Sequence, residues 1–204
     1  MNARPLAALL LIAASCAAPP ARVRVPTGEL QPLEPGLAWT YEADGKVQTR
    51  SVVGVESVGR FSCHIVETRT GDQVERSWMR WDKEGLKVYR VSGGERTVDY
   101  EDPILLIHRL AAPGASWSFE ERYGPVALAV TARYEIDEDI TMGPRVIRCA
   151  RIHLVKRVAG RIVIDQTSWY AKDIGLVRMS VIETGDEKES RTTIQLKSCN
   201  FLKE

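Results

Sequence analysis

The sequence lacks several features that would assign a function directly. It has no apolar run of the about 18 residues that a membrane-spanning helix requires. Its 28 basic and 27 acidic residues nearly cancel, so it has no excess of positive charge to attract nucleic acid. A nucleophile elbow, a zinc-protease His-Glu-x-x-His motif and a glycine-rich phosphate loop are all missing. We therefore expect no nucleic-acid partner, no enzymatic activity and no catalytic residues.

Metal-ligating residues are also scarce, with 3 histidines and 4 cysteines in the chain. Cys149 and His153 share one face of a predicted strand, but four extended residues separate them by about 13 Å, too far for one ion. The acidic residues of 135–139 lack the glycine and spacing of a calcium loop, so they indicate a solvated hairpin tip. The sequence predicts no metal site and no cofactor.

The first residues have the pattern of an export signal. Arg4 precedes an apolar stretch at 6–14 that is too short to span a bilayer, as in a cleaved signal peptide covering 1–15. Small residues before Cys16 resemble the lipobox of bacterial lipoproteins, which implies a lipid (palmitate) on Cys16. The alternative is an ordinary secretory signal that is cut near Ala17 or Ala18 and removes Cys16. Because Ala17 replaces the aspartate of inner-membrane lipoproteins, the resemblance implies an outer-membrane lipoprotein that faces the periplasm.

A proline-rich segment follows the predicted lipid site. Residues 17–35 contain five of the ten prolines of the chain and no periodic apolar face. This composition is typical of an extended spacer. The sequence therefore predicts a tether at 16–35 and one domain at 36–204.

The predicted domain contains an internal repeat. Residues 35–42 (PGLAWTYE) recur as residues 113–120 (PGASWSFE). Three further matches follow in the same order: 63–66 with 149–155, Ser77-Trp78 with Ser168-Trp169, and Gly85-Leu86 with Gly175-Leu176. We infer a duplication with units at about 36–102 and 113–199.

Each unit has the signals of β-strands. Apolar and small or polar residues alternate from Val126 to Ile136, as in a half-buried strand, and Asp44-Gly45 is a strong hairpin signal. About six strands per unit are expected. The segment 103–110 (PILLIHRL) could be a short helix or a buried crossover segment. The predicted fold is all-β, an antiparallel meander sheet or half-barrel built from the two units, with at most this one short helix.

Export to an oxidising compartment predicts a disulfide. Cys63, Cys149 and Cys199 allow three pairings, and sequence rules do not separate them. We favour Cys149–Cys199, because both residues lie in the second unit and a bridge would fasten the last strand.

Aromatic and small residues suggest where a ligand could bind. Large rings at repeat landmarks usually fill a core, but Trp78 and Trp81 are three residues apart and therefore face opposite ways on a strand. Ala127 and Ala129 leave space on one face of their strand. The sequence therefore predicts a groove that involves Trp78, Trp81, Ala127 and Ala129, the alternative being that both alanines face solvent.

The opening Gly-x-x-Trp-x-Tyr at 36–41, the joining segment at 103–117 and the closing Trp169-Tyr170-Ala171 before Gly175-Leu176-Val177 resemble the TapB-like domains of bacterial envelope proteins. Those domains are similar in shape to the half-barrel carriers that move lipoproteins through the periplasm. The resemblance implies a non-catalytic outer-envelope module that binds a hydrophobic ligand, such as an acyl chain, or an envelope protein. A structural subunit of an envelope complex and an uncharacterised hydrolase are the alternatives.

Overall fold

A computed structural model describes residues 28–109, 111–123, 126–185 and 189–202. These residues form twelve β-strands and no helix, which confirms the all-β prediction. The strands are β1 Ala38–Ala43, β2 Lys46–Val58, β3 Phe61–Thr70, β4 Gln73–Trp81, β5 Gly85–Gly93, β6 Arg96–His108, β7 Ser116–Tyr123, β8 Val126–Met142, β9 Arg145–Val158, β10 Arg161–Ala171, β11 Gly175–Thr184 and β12 Glu189–Cys199. The sequence left the conformation of residues 103–110 open. Residues 103–108 of this segment are extended, because β6 continues to His108. Within the described ranges no helix could span a membrane.

All twelve strands belong to one antiparallel sheet with the order β6-β5-β4-β3-β2-β1-β12-β11-β10-β9-β8-β7. Each half is a six-strand meander, and the β1–β12 pair joins the two halves. The sheet curls so that its two edge strands, β6 and β7, approach each other. Trp117 Nε1 on β7 donates a hydrogen bond of 3.1 Å to the Leu105 carbonyl on β6. No β6–β7 pairing occurs in the described part of the chain, so the barrel is nearly closed along an unpaired seam.

The two halves begin with the same turn. Gly36 and Gly114 each have φ of 94°, a left-handed conformation that favours glycine. The Gly36 N–H donates to Val52 and the Gly114 N–H to Tyr134. Just after these partners, at Val52/Gly54 and Tyr134/Ile136, β2 and β8 each contain a bulge. The two turns therefore share their glycine conformation, their hydrogen-bond pattern and the position of the following bulge.

Burial along β8 follows the predicted alternation only as far as its bulge. Val130, Ala132 and Tyr134 are buried on the inner face, whereas Ala127 and Ala129 on the other face are exposed. The bulge adds one residue and reverses the alternation. Ile136 is consequently exposed instead of joining the buried row as the sequence pattern predicts.

The packed domain starts before residue 36. Gln31 and Leu33 are buried, and Trp81 Nε1 donates a hydrogen bond of 2.7 Å to the Gln31 carbonyl. Residues 28–35, which composition assigns to the tether, therefore pack against one end of the barrel. We call this end the lower end and the opposite end, with the hairpins at 44–45, 71–72, 94–95 and 159–160, the upper end.

The predicted disulfide is wrong in this fold. Cys63, Cys149 and Cys199 are all free thiols. Cys149 lies on β9, and Cys199 is the last residue of β12. Strands β10 and β11 lie between these two strands in the sheet. Three strand spacings amount to about 14 Å, roughly twice the Cα separation that a disulfide tolerates. Membership of one repeat unit did not imply that the two residues are neighbours.

Candidate functional site

The predicted ligand-binding residues do not form one groove. Trp78 and Trp81 face opposite sides of β4, as their spacing predicts. Trp78 packs on the outer face with Cys63 and Tyr89. Trp81 packs against the main core at the lower end. The predicted lipid site, Cys16, lies outside the described residues.

Ala127 and Ala129 are exposed on the outer face of β8. A shallow depression of about 450 Å³ lies further along the same face, between Ser118, Thr131 and His153. Neither alanine lines it. These two positions therefore correspond to the solvent-facing alternative that the sequence left open.

His153 is the residue in this depression that could support acid–base chemistry. Its Nε2 lies 2.9 Å from Asp165 Oδ1, and its Nδ1 lies 3.8 Å from Glu135 Oε1. Both ring nitrogens thus face carboxylates. A general base needs a nitrogen directed at the hydroxyl that it activates, and this arrangement directs neither nitrogen at Ser118 or Thr131. Among the described residues no group of His, Cys, Asp and Glu side chains is arranged to hold a metal ion.

The inner face of the barrel divides into two zones. In the lower zone Trp39, Val52, Leu86, Leu176 and Leu196 are buried in one apolar core. Toward the upper end the inner face is mixed, because polar residues such as Thr68, Glu75 and Thr192 share it with apolar residues that are only half-buried. The half-buried apolar residues of this upper zone are Val91, Val98, Tyr100, Phe119, Leu128, Ile164, Met179 and Val181.

Polar side chains lie where the two zones meet. Arg50 is directly opposite Trp39 on β1 and Thr68 on β3, and therefore points to the inner face. On β10, Gln166 donates a hydrogen bond of 2.9 Å to Ser168. We call Arg50, Gln166, Ser168 and Tyr170 the interior polar cluster.

The electrostatic interaction of Arg50 with Tyr170 links two strands of this cluster. Burial raises the pKa of the Tyr170 phenol, and the positive charge of Arg50 opposes that rise. Strands β2 and β10 are separated in the sheet by β1, β12 and β11. Arg50 acts on Tyr170 across the barrel, because the sheet is curved.

A buried ion pair closes the side of the upper zone that is next to the seam. Glu121 on β7 accepts two hydrogen bonds, of 2.9 and 2.7 Å, from Lys156 Nζ. Glu121 is buried, and its charge is compensated by this lysine. The two charges of this pair therefore compensate each other.

The upper zone and the interior polar cluster were not predicted from the sequence. A signal was present in β2, where Gln48, Arg50 and Val52 lie on one face and the residue type along that face changes from polar to apolar. Identifying that face as inner required the strand order, which the sequence did not supply.

No protein-family model and no curated protein matches the sequence. Two solved structures resemble it over most of its length. A candidate lipoprotein from Parabacteroides distasonis has a TM-score of 0.44 and 12% sequence identity over 85% of this chain and 99% of its own. A candidate exported protein with a YmcC-like fold, from Bacteroides fragilis, has a TM-score of 0.42 and 12% identity over 83% of this chain and 98% of its own. The resemblance to TapB-like domains stays a prediction.

Proposed function

We propose that the chain is a non-catalytic lipoprotein of the bacterial outer envelope, held by a lipid on Cys16, and that its barrel binds a hydrophobic ligand such as an acyl chain. The observation that carries the proposal is the group of half-buried apolar residues on the inner face of the upper zone. Apolar residues that face inward usually complete a core, as they do in the lower zone. Inward apolar residues that stay half-buried leave surface that an apolar ligand could cover.

A test of ligand binding compares a filled interior with a filled outer surface. Val181→Trp adds a large ring to the upper zone, and Ala129→Trp adds the same ring to the exposed face of β8. We expect Val181→Trp to weaken binding of a fluorescent fatty acid and Ala129→Trp to leave it unchanged. The opposite result would place the ligand in the groove that the sequence predicts at Ala127 and Ala129.

Native mass spectrometry of the mature protein from the producing bacterium provides a second readout. We expect a bound lipid that is lost in Val181→Trp. If the wild-type protein carries no lipid and binds no fatty acid, the ligand-binding role is wrong.

Docking in an envelope complex is the second candidate. It is favoured by the outer edge of β7, which is unpaired over the described residues. Unpaired edges can accept a strand from a partner. Cross-linking through a photoreactive residue at the exposed Ser118 would detect a partner held there, and the same residue at Ala129 is the control.

The membrane anchor has a separate test. Metabolic labelling with an alkyne fatty acid should mark the wild-type protein but not Cys16→Ser. Equal labelling of both proteins would refute lipidation of Cys16 and support an ordinary secretory signal.

A further inference from the structure

Arg50 is a cation inside the barrel without a carboxylate partner in the described part of the chain. Its Nη2 reaches Met79 Sδ at 3.7 Å, and its Nε is shut off from solvent and has no hydrogen-bond partner. Thioether sulfur is a weak acceptor, so this contact replaces little of the lost hydration. A buried polar group in this condition requires an explanation, because its desolvation is not compensated.

Nearby acidic residues do not supply the missing charge. Glu121, the buried carboxylate of the inner face, is engaged by Lys156. Glu75, which faces inward opposite Thr68, is exposed and forms no ion pair with Arg50. The groups around Arg50 are instead the neutral hydroxyls of Thr68, Tyr170 and Tyr41, together with Met79. Both phenols are neutral at pH 7, and burial raises the pKa of each further above its ordinary value.

The position of Arg50 fits the end of an elongated ligand. Val52, two residues below it on the same face, is buried in the lower core, and Gln48, two residues above it, is half-buried. Arg50 thus lies at the floor of the upper zone, beneath the half-buried apolar residues. A guanidinium has planar paired donors that match the two oxygens of a carboxylate.

We propose that Arg50 binds the anionic head group of the ligand, and that this ligand is a single-chain amphiphile with a carboxylate at one end. The inference rests on the proposed function, since it assigns a head group to the ligand of the same interior. The acyl chain would extend from Arg50 along the apolar residues of the upper zone toward the hairpin end. The carboxylate would compensate the charge that no described residue compensates.

The experiment compares two probes of equal chain length, laurate and dodecanol, by displacement of a neutral fluorophore, N-phenyl-1-naphthylamine, from the full-length protein. The wild-type protein should bind laurate about tenfold or more tightly than dodecanol, since a charge-assisted bidentate contact is of that size. Arg50→Met should remove this preference by weakening laurate alone. Arg69→Met, on the outer face of β3, is the matched control and should keep the preference.

A ligand-free measurement separates a binding role from a structural one. Without its ligand, a half-buried arginine whose Nε has no hydrogen-bond partner should not stabilise the fold, so the Tm of Arg50→Met should equal or exceed that of the wild-type protein. A large loss of Tm would mean that Arg50 stabilises the native interior, and it would overturn the proposal.

The two hypotheses fail in different ways. Equal binding of laurate and dodecanol by the wild-type protein, or a laurate preference that persists in Arg50→Met, refutes the head-group site and leaves the proposed function intact. If the wild-type protein binds neither probe, the proposed function is wrong and the head-group site falls with it. The wild-type comparison needs no variant, so it decides the matter even if Arg50→Met does not fold.

Discussion

Trp169 donates a hydrogen bond of 2.9 Å from its indole Nε1 to the Glu138 carboxylate. The guanidinium of Arg178 lies over the same indole, 5.1 Å from the ring centroid. The first half of the barrel repeats this arrangement. There Trp78 donates to Glu56 at 3.1 Å, and Arg90 lies 5.3 Å above the Trp78 ring.

We expect the two indole contacts to contribute similar stability. Trp78→Phe and Trp169→Phe each keep an aromatic ring but remove the donor to a carboxylate, so each should lower the free energy of unfolding by about 1–2 kcal/mol. Urea denaturation followed by circular dichroism measures both losses. A loss confined to one variant would contradict the equivalence of the two halves.

Gly85 lies where two backbones approach closely. A Cβ at this position would be 1.9 Å from the Ile107 carbonyl oxygen, which belongs to the paired strand β6. Because backbone atoms cannot move aside cheaply, Gly85→Ala should destabilise the protein by about 3 kcal/mol or more.

Gly93, at the other end of β5, is the matched control for this substitution. The nearest atom to a Cβ there is Glu75 Cγ at 3.5 Å, an ordinary contact. Gly93→Ala should therefore change the free energy of unfolding by less than about 1 kcal/mol. If both variants unfold at the same urea concentration, the close approach of β5 and β6 is wrong.

The three thiols of the domain should react at different rates. Cys63 and Cys149 are buried, and burial together with the charges of Asp139 and Glu138 raises the pKa of Cys149 to about 12. Since the thiolate is the reactive form, Cys149 should be protected in the native protein, and the partly exposed Cys199 should react first. Ellman titration of the Cys16→Ser chain should detect one rapid thiol and two more after unfolding. Rapid reaction of Cys149 would contradict its burial.

Much of the strand pattern could be predicted from local signals. The Asp44-Gly45 hairpin is formed by two residues with φ of 48° and 76°, the left-handed pair that this dipeptide favours. The alternation in β8 was correct up to Tyr134 because one face of that strand is buried. These features depend on near neighbours in the chain.

The errors came from properties that depend on the whole sheet. The bulge at Tyr134/Ile136 reversed the face of Ile136, and no local signal marks it. Cys149 and Cys199 lie in one repeat unit, but the meander separates their strands by two others. The role of Arg50 likewise depends on curvature, which brings β2 and β10 together across the interior.

The stability of the protein should fall when the pH drops below about 4.5, the ordinary range of the glutamate pKa. Hydrogen bonds from Arg69 and Arg76 lower the pKa of Glu67, and a hydrogen bond from Trp169 lowers that of Glu138. A carboxyl whose pKa is lower in the folded state binds protons more readily when the chain unfolds. Its contribution is therefore complete above the unfolded pKa and is lost as the pH falls through the folded pKa.

Thermal unfolding between pH 6 and pH 3 measures this loss. The wild-type Tm should change little from pH 6 to pH 5 and then decrease. Glu67→Gln should lower the Tm at pH 6 and flatten the decrease in acid, because the variant has one fewer carboxyl to protonate. Glu75→Gln, at an exposed position of the neighbouring strand β4, controls for the loss of a negative charge from this part of the sheet. An acid decrease as steep in Glu67→Gln as in the wild-type protein would show that the ion pairs of Glu67 do not contribute to stability.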